Sequence, residues 1–261
     1  MTTLHIFSLK IEEVSAAVEF VEDALAVQAL SRTLSDNVEA STHEYRLLKR
    51  LSEGIGRDYR VAKNSLLVSA WGCVEDYVRG VLPEMAKELT KAEITRAACP
   101  DNLFNSNIYV TAEALRDSVG GSALRAYELE RMSSEFAEGF RKDGKILFND
   151  QGMGKIDGKF AIEDLNCYLG RLVFKLKWQD VGQSKDIQKF FDVSSKTAAG
   201  QKSESLLKEV IKDRNKIAHQ GAGTTLDTLE PIGRLVTFLR LFVEQLDALL
   251  RVHVASLASR R

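Results

Sequence analysis

Arg214-Asn215-Lys216-Ile217-Ala218-His219 stands between two long stretches of apolar periodicity and is followed, after Gln220, by Gly221 and Gly223. Stepping the chain by the roughly 100° per residue of an α-helix puts Leu207, Val210, Ile211, Ile217 and Ala218 within about 60° of Arg214. An arginine therefore sits in the middle of an apolar face. Its guanidinium does not give up its proton, and burying it unpaired is costly. It must meet an anion or point into a polar cleft between helices. The pattern predicts a helix over residues 203–218, a tight glycine turn, and a last helix over residues 228–254.

His219 falls roughly 140° from Arg214 by the same helical arithmetic. Asn215 lies four residues before His219, a neighbour on the helix surface, where an amide can fix the orientation or tautomer of an imidazole. One helix alone does not aim both groups at a single phosphate. Either the helix frays at Gln220-Gly221, or a second copy of the site completes the geometry.

Outward from the motif, helical periodicity recurs along the chain and repeats are absent. A first helix is predicted over residues 9–30, with Ser8 as N-cap and Ile11, Val14, Val18, Val21 and Leu25 as apolar positions. A polar region follows, then a short helix over 44–51 ended by Gly54 and Gly56. Residues 58–82 form a long helix whose stripe is Leu67, Trp71, Val74, Val78 and Val81, and Pro83 kinks it or opens the next turn. Residues 99–107 read as a boundary, 111–119 as a helix stopped by Gly120 and Gly121, and 122–140 as another helix. The glycine-rich stretch 143–158 reads as a loop or small hairpin, and residues 99–160 as an insertion in the helical body. Helices resume over 162–175 and 185–191, with a polar, mobile segment over 194–202. The alternating residues 5–9 are the lone strand pattern outside the glycine-rich stretch. The expected fold class is all-α, one domain over residues 1–261.

Composition narrows the function. Hydrophobic residues make up 44% and charged residues 28%, an ordinary soluble balance, and three prolines in 261 residues favour long helices. A net charge of −1 argues against coating nucleic acid by bulk charge, so any such contact must be local. Cys73, Cys99 and Cys167 have neither metal-ligand nor disulfide-framework spacing, which fits a reducing, cytoplasmic setting. The first ten residues lack the pattern of a signal peptide. The apolar stretch 235–250 is interrupted by Arg240, Glu244 and Asp247, so no membrane span is expected.

The motif suits RNA phosphodiester cleavage. That reaction needs a base for the 2′-hydroxyl proton or an acid for the leaving 5′-oxygen, and a cation near the charge developing at phosphorus. Histidine fits the proton transfer, and the planar fork of arginine fits the phosphate. The scheme calls for no metal and no cofactor, and the sequence carries no recognisable metal-binding cluster. The plainer reading is an interfacial arginine and a helix-end histidine facing the helix dipole. Glu75, on the stripe of Trp71 and Val78, orients Arg214 or lies at the cleft edge, or else is a stripe-edge carboxylate reaching water. Lys212 and Lys216, with Lys208, either guide a phosphate backbone or form a solvated helix face. Gly152-Met153-Gly154-Lys155 lacks the earlier glycine and the following Ser or Thr of a P-loop. The last helix carries Arg240, Glu244, Asp247 and Arg251 on one narrow polar stripe and is almost all apolar elsewhere, so it is either the central core helix or one that also pairs across a dimer.

The six-residue segment resembles the Arg-x4–6-His signature of the HEPN superfamily in its Arg-Asn-x-x-x-His form. Its place at the end of a penultimate helix, before a glycine turn and a long apolar helix, agrees. Trp71 with Glu75-Asp76-Tyr77 is similar to a helix of bacterial HEPN groups of the RiboL-PSP kind. The resemblance implies a helical domain that forms a homodimer with two motifs in a shared cleft. Arg214 and His219 would then be catalytic, with Asn215 in support. It also implies metal-independent endoribonuclease chemistry leaving 2′,3′-cyclic phosphate and 5′-hydroxyl ends. The expected setting is a bacterial toxin or antiphage effector with an antitoxin or sensor partner. Some relatives are inactive, so the alternative is a dimer that binds RNA, a nucleotide or a protein. The family often has glycine directly after the histidine, where this chain has Gln220 before Gly221.

Overall fold

The computed structural model describes residues 1–35, 42–43, 45–47, 49, 59–119, 130, 133–134, 136–141, 143–155, 160, 162–221, 223–225 and 231–260. The described elements are all helical: α1 (Thr3–Ser35), α2 (Tyr59–Lys91), α3 (Asp101–Val119), α4 (Asp150–Gly154), α5 (Ile162–Gly170), α6 (Trp178–Val181), α7 (Lys185–Phe190), α8 (Lys196–Gln220) and α9 (Ile232–Ala258). One isolated antiparallel bridge joins Thr95 to Lys145. The all-α class expected from periodicity is the observed class. The stops at Gly54 and Gly56 and at Gly120 and Gly121, with most of the helix expected over 122–140, lie outside the described residues.

The chain divides into two compact units. One comprises Met1–Ile6, Glu75–Glu204 and Phe242–Arg261, and the other Phe7–Val74 and Ser205–Leu241.

In the first unit, α2 does not stop at Pro83 but continues to Lys91. Proline lacks the N–H that would bond to the Arg79 carbonyl, and in a bare helix that loss is severe. Here α4 packs over the gap. A Cβ added at Gly154 would lie 2.5 Å from Pro83 Cγ and 2.9 Å from the Arg79 carbonyl oxygen, so only glycine allows the approach. The glycine run that is not a P-loop is thus a packing device. Arg171 closes the end of α4 by donating from Nη1 to the carbonyls of Gly152, Met153 and Lys155. This use of Arg171 falls just past Gly170, where α5 ends five residues short of the expected limit.

The boundary expected over 99–107 is instead the first half of α3. One of its asparagines reflects hydrogen bonding to a neighbouring segment, not a linker. Buried Asn107 donates to the Leu147 carbonyl at 3.0 Å and accepts from the Asn149 amide at 2.9 Å. The segment expected to be polar and mobile over 194–202 is also helical, because α8 begins at Lys196. Two glycines interlock there. A Cβ at Gly182 would lie 2.0 Å from the Lys196 carbonyl oxygen, and one at Gly200 would lie 2.2 Å from that of Trp178. Trp178 in turn stacks on Phe242 with ring centroids 6.1 Å apart.

The first helix starts at Thr3, not after Ser8, and absorbs the stretch with strand-like alternation. Thr2 is the cap, its hydroxyl accepting from the His5 amide at 3.3 Å. The Thr3 amide donates to Glu84 at 2.8 Å. Glu84 belongs to a partly buried polar cluster of this unit. Tyr77 Oη donates to Asp247 Oδ1 at 3.1 Å, Arg251 Nε to Asp247 Oδ2 at 2.6 Å, and Arg251 Nη2 to Glu84 Oε1 at 2.9 Å.

The second unit is held by the expected stripes. Leu67, Trp71 and Val74 of α2, Leu207 and Val210 of α8, and Leu235, Phe238 and Leu239 of α9 are fully buried. In α9, Leu235, Phe238 and Leu239 are buried in this unit, and Phe242 and Leu246 in the first.

Candidate functional site

The motif occupies the last two turns of α8, in the second unit. Arg214, Asn215 and Lys216 are half-buried, Lys208 and Lys212 exposed, and His219 exposed. The guanidinium Nη1 of Arg214 donates to Asn215 Oδ1 at 3.1 Å. Asn215 therefore serves the arginine in this structure, and among the described residues no group hydrogen-bonds the His219 ring. Glu75 is half-buried and opens the α2 portion of the other unit.

The helix does not fray before the histidine. It runs through Gln220, and the Gly221 amide donates to the Ile217 carbonyl at 2.8 Å. Gly221 has φ +89°, the left-handed conformation that closes a helix with a single five-to-one bond. The extra Gln220 thus lengthens the helix by one residue and leaves the stop on glycine. With the helix intact, Arg214 and His219 keep their separation of about 140° around its axis.

Beyond Gly221 the chain is tied down. The Thr224 amide donates to the Gly221 carbonyl at 3.2 Å, and the Thr224 hydroxyl donates to Gln220 Oε1 at 2.9 Å. Two donors from α2 take successive carbonyls of this turn. Arg60 Nη1 reaches Gly223 at 3.2 Å and Asn64 Nδ2 reaches Thr224 at 2.8 Å.

Sequence reasoning missed three of these residues. Asn64 is completely buried, and its signal was a polar residue three positions before Leu67 on the apolar stripe. Asp213, also completely buried, stands directly before Arg214. Arg60, one turn before Asn64, carried no signal beyond its charge. Among the described residues no group of three His, Cys, Asp or Glu side chains could hold a metal ion. Nor is any described helix long and apolar enough to cross a membrane.

A family model described as RiboL-PSP-HEPN matches residues 33–251. The chain belongs to this family. The match takes in α2 through most of α9, including all of the motif, whereas nearly all of α1 precedes it. Membership in a HEPN family indicates a nuclease-like or RNA-related module, and HEPN domains often bind RNA and dimerise. No curated protein and no solved structure matches the chain.

Proposed function

We propose that the chain is an endoribonuclease whose site combines Arg214 of one copy with His219 of a second. The observation that carries this reading is the intact end of α8. A half-buried arginine with an amide partner and an exposed histidine lie on one rigid helix, facing different ways. Each is usable, and neither reaches the other's substrate atom alone. A two-fold arrangement supplies the missing partner to both copies.

In this reaction His219 takes the proton of the RNA 2′-hydroxyl. The 2′-oxygen–phosphorus bond forms while the phosphorus–5′-oxygen bond breaks. The 5′-oxygen picks up a proton and leaves as a hydroxyl, and the 2′,3′-cyclic phosphate remains. Arg214 holds the nonbridging oxygens and stabilises the charge that grows on them. Asn215, already bonded to Arg214, keeps the guanidinium plane fixed before substrate arrives. Lys212 and Lys216 add positive charge along the approach of the backbone. RNA is preferred over DNA because the nucleophile is the 2′-hydroxyl. A cytoplasmic toxin or antiphage effector, restrained by an antitoxin or sensor partner, is the setting in which such an activity fits.

A mixed RNA pool incubated in excess EDTA with wild type or with His219→Ala tests this. The expected result is cyclic-phosphate ends with wild type and a rate roughly 10²- to 10⁴-fold lower with the variant, the usual span for removing a proton-transfer group. RNA bound by both without turnover would replace the nuclease by a binding module.

A further inference from the structure

The buried Asn64 has no role in the chemistry above, yet it occupies a core position where its helix otherwise places Leu67, Trp71 and Val74. A carboxamide removed from water is costly unless bonded. Its Nδ2 donates to the Thr224 carbonyl, and Arg60, one helical turn earlier, donates to the Gly223 carbonyl. Thr224 is itself bonded to Gln220, the residue after His219, and to Gly221. A continuous chain of hydrogen bonds thus runs from α2 through the turn to the last residues of α8.

We infer that Asn64 is a positioning residue for His219. It clamps the turn after the motif, with Arg60 as an outer second point, so that α8 stays wound through Gln220 and the imidazole keeps one direction. The inference rests on the reading of the motif as a cleavage site. The last turn of a helix otherwise frays, because its final carbonyls lack partners within the helix. An exposed histidine in that turn would sample several directions. Glycine at position 221 lets the turn take its left-handed conformation. Besides the turn's own bonds through Thr224, it is held by the two donors from α2.

The test compares wild type, Asn64→Asp and Arg60→Ala. Asn64→Asp keeps the shape and removes the donor. Arg60 is exposed, so its replacement leaves the core intact. Each protein is checked for a cooperative melt, then for hydrogen exchange at the Gly221 amide, for RNA affinity, and for kcat and KM separately. The expected result for Asn64→Asp is faster Gly221 exchange and kcat about 100-fold lower, as a reacting group displaced by about 1 Å gives, with KM within about threefold. Arg60→Ala shifts the same quantities in the same sense, by less. Full kcat in folded Asn64→Asp, or a loss confined to KM, overturns the inference while leaving the nuclease reading intact. If Asn64→Asp does not fold, Arg60→Ala decides by the same two criteria. Wild type that cleaves no RNA overturns the nuclease reading itself, and faster Gly221 exchange in the variants would then mark the clamp as structural only.

Discussion

Two clusters of ionisable side chains in this molecule invite opposite readings. In the first unit, Tyr77, Asp247, Arg251 and Glu84 are joined by hydrogen bonds, Arg251 also pairs with Glu88, and Asp247 is 3% exposed. In the second, Arg214 and Asn215 are half-buried and His219 stands in solvent. By perturbation alone the first cluster would be taken for the site. Burial, then the Asp247 carboxylate, push the Tyr77 hydroxyl well above its ordinary value. Burial pushes the Glu84 carboxyl up, but bonds from Thr3 and Arg251 outweigh it, and the net shift is downward. Perturbed groups mark structural ion-pair networks as readily as active sites. In the first cluster the bonds are made within the fold; in the second, the histidine proposed to transfer the proton is exposed to solvent.

Substitutions sharpen this contrast, and the largest effect separates the two clusters outright. His219→Ala, at an exposed helix end, leaves stability within about 0.5 kcal/mol while removing cleavage. Arg251→Ala does the reverse. Asp247 loses its main partner in a buried place, and unfolding free energy falls by about 2 kcal/mol, below the full range for a broken buried pair because Arg251 keeps about a third of its side chain in solvent. RNA cleavage per folded molecule stays at the wild-type level. Denaturant midpoints and single-turnover rates on both variants check the pair, and a cleavage loss in folded Arg251→Ala would break the contrast.

A smaller effect appears with pH. Glu84 has a folded-state pKa below its ordinary value near 4.5, so the unfolded chain binds the proton more readily. Its contribution to stability is present above that ordinary value and is lost as pH falls through the folded one. Glu84→Gln therefore gives a flatter loss of denaturant midpoint on the acid side than wild type, with cleavage at neutral pH unaltered. An acid limb as steep as that of wild type would remove Glu84 from the account.

The stripe of Leu67, Trp71, Val74, Val78 and Val81 was legible in the sequence because one period of apolar residues reports one buried face, and all five are fully buried. The helix ends were less so. The passage of α2 through Pro83 depends on Gly154, some seventy residues away, and the early start of α8 depends on Gly182. Such long-range fits leave no trace in local pattern. The Asn-rich start of α3 misled because composition does not distinguish an asparagine in a linker from one bonded across to Leu147. Of the motif, helical spacing gave the angular separation of Arg214 and His219 but not whether the helix stays wound through Gln220. That needed the conformation at Gly221 and the bonds from Arg60 and Asn64, which join residues about 160 positions apart.

The composite site is tested most directly by mixing two inactive variants. Arg214→Ala and His219→Ala, each alone, cleave RNA at about a hundredth of the wild-type rate or less. Exchanged subunits place an intact Arg214 opposite an intact His219 in one of the two sites of each mixed dimer. With random exchange about half of the dimers are mixed, so activity returns to about a quarter of wild type. A mixture that exchanges subunits and remains inactive would contradict a site shared between copies.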